Sequence, residues 1–172
     1  MSTSTDPADL QDTPPARALL RLIMGYMVSR AIYVMAKLGI ADLLRDGPQD
    51  SNGLAQATST DARALYRVLR TLASVGVLVE DEAARFRLTP IGACLQTGVP
   101  DSLRAYALQT GEETYRVWTE VLYSVHTGKS AFEQVFGMGV YDYRAHHPEA
   151  AARFNEAMTD WTRQAAPAVV AA

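Results

Sequence analysis

The residues with the clearest chemical potential lie near the C-terminus, in FNEAMTDWTRQ, Phe154 to Gln164. Phe154, Met158, Trp161 and Ala165 recur at i, i+4, i+7 and i+11, so they share one face of a helix. One reading is core packing, the usual fate of an apolar stripe. The other is a binding wall. Thioether and aromatic groups hold a flat ring without demanding polar partners. The glycine-punctuated aromatic stretch AFEQVFGMGVYDY, just upstream, could supply more of that wall. Spacing alone leaves both readings open. The titratable groups nearby are Glu133, Asp142, Arg144 and Asp160. Glu133 could orient a ligand hydroxyl, or be a surface carboxylate.

Other constellations carry less. His126, His146 and His147 form no metal-ligand spacing, and Cys94 has no histidine near it in sequence. A small half-apolar helix face accounts for Cys94, and a surface turn before Pro148 for His146 and His147. GMGV at 137–140 is not a G-x-G-x-x-G, so no usual backbone cradle for a nucleotide-like cofactor is expected. Arg63, Arg67 and Arg70 fall opposite the face formed by Leu65, Val68, Leu69 and Leu72. On a recognition helix they could meet phosphates or guanines; on a solvated face they would pair with acids such as Asp61. Glu80, Asp81 and Glu82 would repel a DNA backbone, and a net charge of −3 gives nucleic acid no general attraction.

These residues need elements to hold them. The 172-residue chain is 48% hydrophobic and 20% charged, ordinary for a globular protein of one domain or two small ones. A polar, proline-containing arm is expected over 1–15. A helix follows from Ala16 to Lys37, apolar on most sides, which therefore needs burial on most sides. A second copy of the chain is the expected source. Arg21, Arg30 and Lys37 interrupt it, so no membrane-spanning segment is expected. One cysteine and no signal-like leader suggest a reducing, cytoplasmic setting.

Next come a short helix after Gly39, a helix LAQAT capped by Ser51, and a strong helix Ala62 to Ser74 stopped by Gly76. VLVE and FRLT read as two strands joined by the turn DEAAR, and Thr89 with Pro90 opens IGACLQ. Helix, turn, helix, then a two-stranded wing is the winged-helix order. Beyond GVPDS, helices are expected over Leu103 to Gln109, Glu113 to Thr127 and Glu149 to Val169, with short helical pieces between the last two. The fold class is mainly α: a winged helix with a two-stranded β wing, an N-terminal dimerisation helix and C-terminal helices. The expected division is 1–15 arm, 16–98 dimerisation helices and winged helix, 99–172 helical lid.

Taken together, ALYRVLRTLASVGVL, FRLTPIG, GKSAFEQVFG, the YDY segment and FN-x2-M resemble the N-terminal region of small-molecule O-methyltransferases. These are the S-adenosylmethionine-dependent enzymes of plant phenylpropanoid and bacterial polyketide pathways. The resemblance covers roughly Ala16 to Val170. It implies an intertwined homodimer through 16–37 and a lid over a small aromatic acceptor. It implies that a glycine-rich Rossmann domain, holding donor and catalytic base, belongs downstream, so the stretch after PAVVAA reads as a domain boundary.

By the same resemblance, Phe154, Met158, Trp161, Glu133, Met138 and Arg144 take acceptor-contacting positions. Tyr141 and Thr162 take positions near the donor. Plant members tend to carry an amide where this chain has Glu133 and a histidine where it has Trp161. No catalytic residue and no metal are implied here, and the chain alone is expected to be inactive. Two other readings remain, a stand-alone winged-helix regulator and a non-catalytic small-molecule-binding dimer.

Overall fold

The computed structural model describes residues 13–170, so the arm expected over 1–15 lies largely outside the described residues. The chain divides into two compact units, one running to Thr97 and the other starting at Gly98.

The first unit begins with α1, Pro15–Lys37, with proline in its first turn where a missing N–H costs nothing. Only Ala31, Met35 and Ala36 of α1 are buried, all near its C-terminal end. Leu19, Leu20, Leu22, Ile23, Met24, Tyr26 and Met27 stay exposed, Ile23 at 59%. Contrary to the reading from its basic residues, α1 is long and apolar enough to cross a membrane by length and composition. Gly39, at φ +65°, turns the chain into α2, Ile40–Leu43. Asp42 then accepts from the N–H and hydroxyl of Thr97, both at 2.8 Å, pinning the end of this unit.

The winged helix follows in the expected order. Strand β1, Gln49–Asp50, leads into α3, Ser51–Thr58, and α4, Ala62–Ser74. The cap of α3 is Asp50, whose Oδ1 accepts from the Gly53 N–H at 2.7 Å, and not Ser51 as the sequence suggested. Asp61 caps α4 in the same way. Strands β2, Leu78–Glu80, and β3, Arg85–Leu88, pair antiparallel with Leu78 opposite Leu88 and Glu80 opposite Phe86. Asp81 ties their turn, its carboxylate accepting from the N–H groups of Ala83 and Arg85. The wing is wider than two strands. Gln49 and Asp50 add β1 to the other edge of β3.

The core of this unit is the apolar face of α4, Leu65, Leu69 and Leu72, closed by fully buried Ile40, Leu54, Leu78 and Phe86. Tyr66 meets Phe86 edge-on at 5.8 Å. Thr89 caps α5, Pro90–Ala93, accepting from the Gly92 N–H, and its hydroxyl lies 2.9 Å from the Val77 carbonyl.

The second unit is helical throughout. It comprises α6, Arg104–Gln109, a π-helical turn at Thr110–Thr114, and α7, Tyr115–Thr119. Then come α8, Val121–Thr127, α9, Ala131–Phe136, α10, Val140–His146, and α11, Pro148–Val170. The single helix expected from Glu113 to Thr127 is thus three pieces, broken at Glu120. Helices α6 and α11 bury alanines, Ala105, Ala150 and Ala157, small enough to bring backbones close. Arg163 of α11 donates to the Pro100 carbonyl, ahead of α6, at 2.8 Å.

Gly92 is the tightest point of the first unit. A Cβ there would lie 2.3 Å from the Val77 carbonyl oxygen. Gly92→Ala is expected to destabilise by about 1–3 kcal/mol, as overpacking does. Thermal melts read this as a lower midpoint, by about 2–4 °C per kcal/mol. An unchanged midpoint would show that α5 is not held against β2.

Candidate functional site

The second unit gathers the residues singled out in the sequence around α11. Phe154, Met158 and Trp161 follow one face of that helix. Phe154 and Met158 are half-buried, and Trp161 is 54% exposed. The Ala165 side chain lies outside the described residues. Trp161 stacks on Tyr106 of α6 with ring centres 5.3 Å apart and planes 20° apart. The fully covered positions of α11 are others: Ala150, Ala157 and Asp160. The apolar stripe is therefore the flank of the packed face, which leaves it able to touch a ligand.

Arg144 of α10 lies directly on this wall. Its guanidinium carbon sits 3.3 Å from the centre of the Phe154 ring. Its Nη2 lies 3.7 Å from Glu113 Oε2, an ion pair longer than a hydrogen bond. Glu113 is only 3% exposed, and neither carboxylate oxygen has a hydrogen-bond partner. Beside it, Arg153 of α11 pairs with Glu112 at 2.9 Å. Two consecutive acids of the π-helical turn thus meet one arginine from each of the last two helices. π-turns inside helices occur frequently at functional sites.

Burial pushes the Glu113 carboxyl up, against the pull of Arg144 and Arg153, and neighbouring Glu112 adds to the rise.

The remaining predicted positions lie on α9, α10, the turn between them, and α11. Glu133 is exposed in the first turn of α9, its N–H 3.4 Å from the Ser130 hydroxyl that caps the helix. A Cβ at Gly139 would stand 3.6 Å from Asp142 Oδ2 and 4.0 Å from Glu133 Oε1, so both carboxylates flank that turn. Met138 is half-buried in the turn, between Gly137 and Gly139. Tyr141 is 85% exposed, and Thr162 is exposed on α11. Phe132, Phe136 and Tyr143 form their own aromatic cluster, Phe136 and Tyr143 having ring centres 4.5 Å apart.

Sequence reasoning missed Glu113, Tyr106 and Arg153. Glu113 was read as the start of a new helix, where an acid is unremarkable. The backbone instead stays helical through Gln109, Thr110 and Tyr115, so Glu113 sits mid-run and faces inward. The signal was an acid on the buried face of a run whose flanks are both helical. Among the described residues there is no metal-binding cluster of His, Cys, Asp and Glu.

In the first unit, Arg67 and Arg70 line an open groove of about 830 Å³ between α4 and α1, with Tyr26, Met27, Arg30 and Val34 on the other side. Arg70 also pairs with Glu80 at 3.5 Å, and Glu80 accepts from the Tyr66 hydroxyl. A recognition helix needs a free outer face to enter a major groove. Here α1 borders that face.

A winged helix bordered by an exposed apolar helix is followed in the chain by a helical unit with an aromatic face. Residues 20–98 match the O-methyltransferase dimerisation domain. That segment includes most of α1. The chain is 50% identical over 157 residues to the phenazine O-methyltransferase PhzM of Lysobacter antibioticus, covering 91% of this chain and 46% of that protein. The crystal structure of LaPhzM superposes with a TM-score of 0.88 at 49% identity, over 93% of this chain and 48% of the other. CalO1, a methyltransferase in calicheamicin biosynthesis solved in its SAH-bound form, superposes at 0.74 with 34% identity, over 92% of this chain and 46% of CalO1. The chain spans about half the length of these relatives. Residues 20–98 are thus similar to the O-methyltransferase dimerisation domain, and the chain as a whole to part of these methyltransferases.

The raised Glu113 pKa has a sign that can be tested. Above the ordinary value of 4.5, the unfolded chain releases this proton before the folded chain does. Stability is therefore greatest below that value and falls as pH rises through the raised one. Glu113→Gln removes the ionisation. Its melting midpoint is expected to equal or exceed the wild type at about pH 7, with the pH-dependent part of the difference vanishing below the ordinary value. A mutant less stable than wild type at neutral pH would show that the ion pairs outweigh burial.

Proposed function

We propose that this chain is the dimerisation and acceptor-binding part of an S-adenosylmethionine-dependent O-methyltransferase acting on a small aromatic natural product. The observation that carries the reading is α1, which exposes six large apolar side chains, from Leu20 to Met27, within a segment that matches a dimerisation domain. Exposed apolar faces of that extent mark interaction sites. A second copy is the partner that a dimerisation domain calls for, seated on α1 and along the groove it forms with α4. Residues 16–98 would form the dimer and 99–172 the lid. The half-buried, free Cys94 fits a reducing, cytoplasmic setting.

On this reading Phe154, Met158, Trp161 and Met138 hold the acceptor ring and keep water from it, with Arg144 and Glu133 at its polar edges. The names of the relatives, a phenazine methyltransferase among them, favour a planar acceptor. Tyr141 and Thr162 are too exposed to enclose a methyl donor themselves, and fit only as edge contacts. When bound, the donor supplies the methyl group. What this chain adds is alignment of the acceptor oxygen, a positioning contribution. Phe154, Met158, Trp161 and Met138 cannot take a phenol proton, so the chain by itself is expected to give no turnover. Clear methylation by the 172-residue chain would refute this.

Sedimentation tests the dimer. The chain is expected to sediment as a dimer at micromolar concentration. Ile23→Asp combined with Met27→Asp is expected to yield a folded monomer, because charges on α1 cannot be buried unpaired. A wild-type monomer would overturn the reading.

A further inference from the structure

We propose that Arg144 is a specificity-determining residue that selects planar aromatic acceptors bearing a carboxylate; this rests on the reading of α11 as an acceptor wall.

Three observations converge on it. First, the guanidinium covers the Phe154 ring at 3.3 Å, so an acceptor stacking on this wall meets Arg144 before it meets Phe154. Arginine stacks on aromatic faces, and a guanidinium so placed can still donate hydrogen bonds from its N–H groups. Second, that edge is underused. Nη2 stands 3.7 Å from Glu113, beyond hydrogen-bond length, and Nε is buried with no partner. Arg153 also has an unpartnered Nε, but its Nη2 is engaged by Glu112 at 2.9 Å. Third, the Arg144 side chain is 16% exposed, whereas that of Glu113 is 4% exposed. The cation therefore reaches the surface and its counter-ion does not.

A carboxylate in the plane of an aromatic ring matches this geometry. It accepts two parallel N–H bonds from the guanidinium fork while its ring continues the stack along Met158 and Trp161. The low local dielectric that makes the unmet donor costly strengthens the pair once it forms. Glu113 is a poor competitor, because burial disfavours its charged form. Its place beneath Arg144 fixes the arginine without saturating it.

The test uses the full chain and two probes, 1-hydroxy-2-naphthoate and 1-naphthol, which differ only by the carboxylate. Affinities are read by calorimetry or by saturation-transfer NMR at high ligand concentration. Wild type is expected to bind the naphthoate about tenfold or more tightly than the naphthol, the range of a charge-assisted pair. Arg144→Gln is expected to abolish that preference, the naphthoate losing at least about tenfold more affinity than the naphthol. Arg144→Lys, with the charge but not the fork, is expected to lose most of it. Glu113→Gln, which removes the competing carboxylate, is expected to keep or increase it. Equal affinity of wild type for the two probes would overturn the inference and leave the acceptor wall standing. Equal weakening of both probes in Arg144→Gln would reduce Arg144 to a packing role and also overturn it. Failure of both probes to bind wild type would overturn the acceptor wall and this inference together.

Discussion

A helix that is apolar on nearly every side cannot remain in water, and α1 is such a helix. Only Ala31, Met35 and Ala36 find cover within their own unit. The rest of the first unit can be understood as a platform for what remains uncovered. Helix α4 lies beside α1 and leaves a groove between them. The core of Leu65, Leu69, Leu72 and Phe86 fixes the orientation of α4. The wing, closed by Asp81 and Thr89, fixes that core in turn. In the dimer proposed above, such a platform would present a rigid surface to a second copy of the chain.

The second unit answers a different constraint. It buries Glu113 and parts of Arg104, Arg144 and Arg153 among helices packed through alanines. Buried charges without good hydrogen bonds are expensive, and replacing them with apolar groups would commonly stabilise a fold. On the proposed reading, a ligand bound beside Phe154 would offset that cost. The π-helical turn supports the same view. It is less favourable than a regular helix, yet it sets Glu112 and Glu113 side by side against α10 and α11.

Features set by neighbouring residues were legible in the sequence. Asp61 and Thr89 cap helices by bonding residues three positions on, and the leucine spacing of α4 states its buried face. The wing, the short helices over 131–146 and the limits of α1 and α11 follow from patterns of the same range. What depended on distant partners was not legible. Strand β1 exists because Gln49 and Asp50 pair with Phe86 and Arg85, far along the chain. That pairing also draws Asp50, rather than Ser51, into the cap of α3. Glu113 was invisible as a buried acid because its burial requires α6 and α7 to be joined without a cap, which the Gly-Glu-Glu sequence does not announce. For the proposed site, α11 spacing points to Phe154, Met158 and Trp161, and the family resemblance adds Arg144. They could not show that Arg144 lies on Phe154, since the two belong to different helices.

That stacking changes what the aromatic wall can do. A bare face of Phe154, Met158 and Trp161 would accept any flat ring, because dispersion and ring contacts discriminate weakly among aromatics. A guanidinium laid on Phe154 makes one end of the wall cationic and directional. Discrimination then comes from polar groups, where a mismatch leaves a buried donor unpaired, and such mismatches separate ligands far more sharply than apolar fit does. The Trp161–Tyr106 stack at the other end stays neutral. One helix face thus carries a permissive apolar end and a selective charged end. A lid could keep the first for ring binding in general and alter specificity through the residue that covers Phe154.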